Sequence, residues 1–201
     1  MNKLSVYILL ILLCVSTSSF SQNINKDAFI EIVGEEEGDL NQDKVTDKII
    51  VSSIITNDVR PFKLEIWISQ PNSKKLKLVV STTKLLEQQY DAEKYKMKKN
   101  FRIPDVVIEN GKLTILTTIN ELKSRYVFRF KDGNFELTNI SRILWDGKDT
   151  ITETEIDLLK GSKVVFDQDS GPNKKYKVRD KSEPKPLPKI QDLTSADLAK
   201  Y

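Results

Sequence analysis

The chain has 201 residues, of which 39% are hydrophobic and 30% charged, so it can form one domain with a substantial apolar core. It contains no histidine, which excludes Ser-His-Asp and Cys-His catalytic systems as well as histidine-ligated zinc. The formal net charge is only +3 at pH 7, which is too small to indicate a nucleic-acid partner.

The first residues have the pattern of a secretory signal peptide. A basic start at Lys3 precedes an apolar run from Leu4 to Val15, and small residues stand at Ser19 and Ser21. The run is shorter than the ~20 residues that span a bilayer, so a cleaved leader is favoured over a membrane anchor. We therefore expect residues 1–21 to be removed, leaving a periplasmic or secreted chain that begins near Gln22 and has no transmembrane segment.

The single cysteine, Cys14, lies inside this predicted leader. The predicted mature chain therefore has no cysteine, and its fold cannot depend on disulfides even though the compartment would allow them. Hydrophobic packing must hold the fold together.

Beyond the leader, apolar residues alternate with polar ones, which is typical of strands with one buried face. Turn dipeptides that tolerate positive φ angles separate several of these runs, as in tight hairpins. The predicted turns are Asn110-Gly111, Asp132-Gly133 and Lys160-Gly161-Ser162. The predicted buried sets are Phe62, Leu64, Ile66 and Ile68; Leu76, Leu78 and Val80; Tyr126, Phe128 and Phe130; and Phe135 with Leu137.

Consecutive hairpins predict an all-β domain over residues 22–180, an antiparallel meander of roughly eight to ten strands closed as a sandwich or a partly open barrel. Residues 85–99 are polar without clear alternation, which indicates a long connection. Residues 181–201 form a Pro/Lys-rich C-terminal arm, expected to be extended and to bury little. Thr194 or Ser195 is a candidate cap for one short helix near its end.

An acidic loop after Gly38 carries the strongest functional signal. Oxygen-bearing side chains recur at every second residue, which allows one tight loop to surround a hard cation such as calcium. The predicted calcium ligands are Asp39, Asn41, Asp43, Asp47 and the backbone carbonyl of Val45.

Two features of the loop depart from a high-affinity calcium site. Lys44 stands where a glycine normally permits the sharp turn, and Ile50 stands where an EF-hand has a bidentate glutamate. One of the residues Glu35, Glu36 and Glu37 could supply the missing carboxylate. The alternative is a metal-free turn, in which the carboxylates bond local backbone amides and lysines partly neutralise them.

The loop resembles the single calcium-type loop of FG-GAP or VCBS-like repeats, through Gly38-Asp39-Leu40-Asn41, Asp43, Asp47 and Lys48-Ile49-Ile50-Val51. Only one copy is present, so a multi-bladed propeller is not supported. The wider pattern is similar to small secreted proteins of Gram-negative bacteria, mostly of unassigned function. Its further elements are Asn110-Gly111, Arg129-Phe130, Phe135 with Leu137, and Leu159-Lys160-Gly161-Ser162-Lys163. The resemblance implies an envelope protein without known enzymatic activity and transfers no catalytic residues.

No catalytic constellation stands out, so we expect a non-enzymatic domain that binds calcium structurally and recognises an envelope or secreted protein. The alternative is a carbohydrate-active enzyme or glycan-binding module, in which Trp67 or Trp145 stacks on sugars near the alternating carboxylates Glu153, Glu155 and Asp157. A third possibility is an immunity-type inhibitor, which the residues neither favour nor oppose.

Overall fold

The computed structural model describes thirteen strands, one 3-10 turn and one short helix over residues 29–54, 59–71, 73, 75–90, 103–148, 150–169, 175–181 and 186–201. The first seven strands are β1 Glu31–Gly38, β2 Asp47–Ser53, β3 Val59–Arg60, β4 Phe62–Ser69, β5 Leu76–Thr82, β6 Gln89–Tyr90 and β7 Asp105–Glu109. The others are β8 Lys112–Ile119, β9 Leu122–Lys131, β10 Asn134–Trp145, β11 Thr150–Asp157, β12 Ser162–Asp169 and β13 Lys175–Lys181. The 3-10 turn covers Ile190–Asp192, and helix α1 covers Ser195–Ala199.

The strands form two antiparallel sheets that pack as a sandwich, which confirms the predicted fold class. One sheet has the order β1-β2-β4-β5, the other is the meander from β13 back to β7, and β3 pairs separately with β6. Both sheets contribute to a single buried core, which includes Val51 and Leu64 from the first sheet and Leu113, Phe128 and Leu137 from the second. The strand count exceeds the predicted eight to ten, in part because the two-residue strands β3 and β6 have no readable pattern.

The two sheets approach each other closely where β1 meets β7. A Cβ atom on Gly38 would lie 2.7 Å from Ile108 Cγ2, so this position requires glycine. Gly38 is also the last residue of β1 and leads directly into the acidic loop. The close approach therefore fixes the start of the loop against the second sheet.

The alternation in β4 and the geometry of the predicted turns are confirmed. The core-facing residues of β4, from Phe62 to Ile68, are buried, and their neighbours along the strand are partly exposed. Asn110 has φ 52° and Gly111 φ 69°, and Asp132-Gly133 and Gly161 likewise take positive φ. Each of the three turns joins neighbouring antiparallel strands.

The predicted buried face of β5 is wrong in part. Val80 pairs with Ile66 and is buried, but the next pair is Trp67 with Leu78, so the intervening residue of β5 forms a bulge. One extra residue reverses the side-chain alternation. As a result Leu76 and Leu78 lie on the outer side of the sheet and are 39% and 38% exposed.

The expectation that the C-terminal arm buries little is also wrong. Ile190, Leu193 and Leu198 are buried members of the core. The arm is held at both sides, because Leu137 N donates to Pro188 O at 2.9 Å and Ser195 N donates to Lys84 O at 2.8 Å. It therefore covers the side of the sandwich between β10 and the segment after β5.

The segment after β5 holds another departure from expectation, since Leu85 and Leu86 of the predicted polar connection are buried. The short helix is confirmed. Thr194 is its N-cap and forms a capping box with Asp197. Residues 91–99 of the predicted connection lie outside the described residues, as does the predicted leader.

Candidate functional site

The acidic loop connects β1 to β2 and closes through its own hydrogen bonds. Asp39 accepts from the backbone amides of Asp43 at 3.1 Å and Lys44 at 2.8 Å. Asn41 Oδ1 accepts from the Asp43 amide at 3.1 Å, and its Nδ2 donates to Asp43 Oδ2 at 2.8 Å. Asp43 Oδ1 in turn accepts from Val45 N at 2.8 Å. Side chains that bond amides a few residues further on are the mark of successive Asx turns.

Two residues of the loop take left-handed backbone conformations. Gln42 has φ 62° and Lys44 has φ 67°. Lys44 thus takes the conformation that usually favours glycine at this point, at a cost of roughly 1 to 2 kcal/mol. The Gln42 side chain lies against the β7–β8 turn, where a Cβ on Gly111 would come within 2.7 Å of Gln42 Cγ. The loop and the Asn110-Gly111 turn are therefore neighbours in space.

Asp47 has a different role from the other predicted ligands. It is fully buried, and its two carboxylate oxygens accept hydrogen bonds from Leu40 N and Ser69 N, each at 2.8 Å. Both donors belong to buried residues, so the carboxylate satisfies two backbone amides that water does not reach. Asp47 therefore fastens the loop to the end of β4.

The structure brings Asp39, Asn41 and Asp43 together and directs the Asp47 carboxylate inward. Within the described ranges, no three Asp, Glu, His or Cys side chains converge as a metal-binding group.

Two of the upstream glutamates are engaged by a lysine. Lys48 Nζ lies 2.5 Å from Glu35 and 3.5 Å from Glu37. The hydrogen bond to Glu35 raises the pKa of Lys48 above its usual value. These two carboxylates therefore face a cation of the protein itself instead of completing the loop.

A second candidate site lies on the outer face, the side of the seven-stranded sheet that points away from the core over β9, β10 and β11. Residues directly opposite in neighbouring strands point to the same side. Ile143 of β10 lies between Lys123 and Glu153. Ser141, two positions before Ile143 on β10, lies between Arg125 and Glu155. The outer face thus has a basic row on β9, a neutral row on β10 and an acidic row on β11.

The outer face is accessible to solvent and partly apolar. Ile143, Trp145 and Ile151 are 39%, 45% and 39% exposed. The Trp145 indole is held near the strand end, because its Nε1 donates to Lys148 O at 3.4 Å. Strands β11 and β12 contribute little to the core. Ile156 is the one buried residue of β11, and no described side chain of β12 is buried.

The residues of the glycan alternative are only partly brought together. Trp145 shares the outer face with Glu153 and Glu155, whereas Trp67 lies in the other sheet with its Nε1 buried. Asp157, the third carboxylate of this row, is held by Lys160 Nζ at 3.0 Å. Burial raises the pKa of Asp157, but the hydrogen bonds from Lys160 outweigh it, and the net effect lowers that pKa.

The acidic loop could be recognised from sequence, but the outer face could not. Its residues come from three strands whose relative register no local pattern states. The alternating carboxylates of β11 are the one signal of this face in the sequence, and they do not indicate the basic row two strands away.

Comparison of the chain with protein families, curated proteins and solved structures finds no match. The resemblance to envelope proteins with a single calcium-type loop therefore stays a prediction. Among the described residues, no helix is both long and apolar enough to cross a bilayer.

Proposed function

We propose that this protein is an exported, non-enzymatic β-domain that recognises an envelope or secreted protein through its outer face. The observation that carries the proposal is the exposure of Ile143, Trp145 and Ile151 beside charged rows on a regular sheet. Exposed apolar side chains bordered by polar residues are typical of protein contact sites, and Trp is among the residues that most often dominate such contacts.

The location rests on the predicted leader over residues 1–21, which directs the domain to the periplasm or out of the cell. In that setting the seven-stranded sheet supplies a rigid surface, since β9, β10 and β11 are each paired on both sides. A rigid surface loses little conformational entropy on binding, which favours recognition by preformed contacts.

Site-specific photocrosslinking in the native host tests this proposal. A photoreactive amino acid at position 145 should give a discrete adduct with a protein, because Trp145 lies on the outer face. The matched control is position 159, since Leu159 is 44% exposed but lies in the turn at the other end of β11. Equal adduct patterns from both positions, or none from either, would contradict the proposed contact surface.

We also propose that the acidic loop binds calcium as a structural ion. Asp39, Asn41 and Asp43 lie together, and an oxygen that accepts one hydrogen bond keeps a second lone pair for a cation. The inward Asp47 leaves this set short of the ligands of a high-affinity loop. Weak binding of the extracellular type is therefore expected, with Kd near ~10⁻⁴ to 10⁻³ M.

The glycan alternative depends on Trp145 and the two exposed glutamates of the outer face, because Trp67 is on the other sheet. An open sheet face can stack on a sugar ring, but cleavage needs two carboxylates placed on either side of one glycosidic bond. An adduct at position 145 that is sensitive to glycosidase and resistant to protease would favour a glycan module over protein recognition.

A further inference from the structure

We propose that the outer face is occupied by a second copy of this chain, related to the first by a two-fold axis that runs parallel to β10. The inference rests on the proposed function, which makes the outer face a contact surface, and it names the occupant. It follows from the order of charges across three neighbouring strands.

The charges repeat in the same order at two successive levels of the sheet. At one level the order across the strands is Lys123, Ile143, Glu153. At the next level it is Arg125, Ser141, Glu155. All four charged residues are exposed. Because β10 separates the two rows, the backbones that carry the opposite charges of one level stand two strand spacings apart, roughly 10 Å.

A two-fold axis parallel to β10 brings opposite rows of two chains together. The rotation keeps the direction of the strands and exchanges the two sides of the face, so β9 of one copy lies over β11 of the other. Lys123 then meets the partner's Glu153, and Arg125 meets the partner's Glu155. An in-plane two-fold axis perpendicular to the strands would instead place β9 of one copy over β9 of the other. Like charges would then face each other, which is unfavourable.

The neutral row lies on the axis and supplies the apolar part of the contact. Ile143 and Trp145, both exposed, would each pack against the same residue of the partner subunit. Two sheets with nearly aligned strands pack face to face at about 10 Å, within reach of long charged side chains on the flanking rows. The contact is self-complementary, as a two-fold interface requires.

Sedimentation equilibrium of the mature chain, from Gln22 to Tyr201, tests the proposal. The wild-type chain should show a reversible monomer–dimer equilibrium that weakens as salt is added, because the flanking pairs are screened. Glu153→Lys and Lys123→Glu each place like charges opposite one another twice in the dimer. Each substitution should raise the dissociation constant by about tenfold or more.

An equimolar mixture of the two variants provides the decisive control. In the mixed dimer every altered position again faces an opposite charge, so association should return to the wild-type level although each variant alone associates poorly. Because Lys123 and Glu153 are exposed, neither substitution should disturb the fold. Melting midpoints of the variants that equal each other would exclude misfolding as the cause of the weaker association. Lys77→Glu, at an exposed lysine of β5 in the other sheet, should leave the equilibrium unchanged.

The outcomes separate this proposal from the proposed function. A chain that stays monomeric at all concentrations, or a mixture that associates no better than its components, overturns the second copy as occupant. If such a monomer still gives an adduct with a different protein from position 145, recognition through the outer face stands. An adduct from position 145 with twice the mass of the chain would support both the second copy as occupant and the outer face as a contact surface.

Discussion

At the scale of single residues, Asp47 serves as the acceptor for two buried amides, a role that its place in a calcium-type pattern did not indicate. Its partners are Leu40, seven residues earlier, and Ser69, twenty-two residues later. The second contact depends on how β4 lies beside β2, which the local sequence does not state. The surface bonds of Asp39, Asn41 and Asp43 are local, and the metal-free alternative anticipated them.

Substitution of Asp47 should be far more damaging than substitution of Asp43. Asp47→Ala leaves the amides of Leu40 and Ser69 buried without an acceptor, which should lower the free energy of unfolding by about 2 to 5 kcal/mol. Asp43→Ala removes exposed bonds and one long contact of 3.5 Å from Ser69 Oγ, and it should cost at most about 1 kcal/mol. Urea unfolding without calcium gives both values. Equal losses would show that Asp47 is not the anchor of the loop.

Calcium should raise the melting midpoint of the mature domain, since a ligand that binds only the folded loop stabilises it. At about 10 mM calcium and a Kd of ~10⁻⁴ M the gain is about 2.7 kcal/mol. For a domain of this size the midpoint should rise by roughly 5 to 10 °C. Thermal melts of chelator-stripped protein give the shift.

Two controls accompany the calcium melts. Asp43→Ala should remove most of the shift because it removes a central ligand, whereas Glu153→Gln, an exposed acid outside the loop, should retain it. Magnesium should act weakly, because it prefers smaller octahedral shells that keep water. A midpoint that calcium leaves unchanged would reduce the loop to the hydrogen-bonded turn.

At the scale of whole elements, bulges decide what the alternation of the sequence leaves open. A uniform register from the Asp132-Gly133 turn would place Lys123 opposite Arg142, two cations side by side. The structure has a register shift at Thr138, so Lys123 lies opposite Ile143 instead. A bulge adds one residue to one strand of a pair, and the amino-acid composition of that strand does not show where the bulge lies. The strands and turns were therefore predictable, but the rows of the outer face and the exposed Leu76 and Leu78 were not.

The C-terminal arm should contribute to stability as part of the core. Leu198→Ala removes a buried side chain of α1 and should cost about 2 to 5 kcal/mol, close to the 3 to 5 kcal/mol expected for Phe128→Ala in the sheet. Leu159→Ala, at an exposed leucine, is the matched control and should cost less than about 0.5 kcal/mol. Denaturant midpoints decide the matter. A Leu198→Ala midpoint equal to that of the control would restore the view of a loosely attached arm.

The cap of α1 should also show a pH dependence with a defined direction. The hydrogen bonds from Lys200 and Thr194 lower the pKa of Asp197 from 3.8 to about 2. Because the folded pKa is lowered, the carboxylate stabilises the fold above pH 3.8, and this contribution is lost as the pH falls through about 2. Carboxyl NMR titration should give the low value, and Lys200→Ala should move it back towards 3.8. An unchanged titration in that variant would exclude Lys200 as the main cause.

At the scale of the whole molecule, every described strand lies beyond the predicted leader. The described structure starts at Phe29, which is buried, and Lys63 Nζ lies 5.5 Å from the centre of its ring. Strand β1 begins two residues later at Glu31. Cleavage after Ser21 would therefore remove no residue of β1, β2 or the acidic loop.

We accordingly predict that the envelope form of the protein begins at or near Gln22. The apolar run from Leu4 to Val15 suits presentation to a signal peptidase and is too short to anchor the chain in a bilayer. Mass spectrometry of the protein from envelope fractions should give the mass of residues 22–201. A chain expressed without the leader should melt at the same temperature as the protein from envelope fractions. An intact Met1 on envelope-located protein, or a lipid on Cys14, would mean that the leader is retained as an anchor.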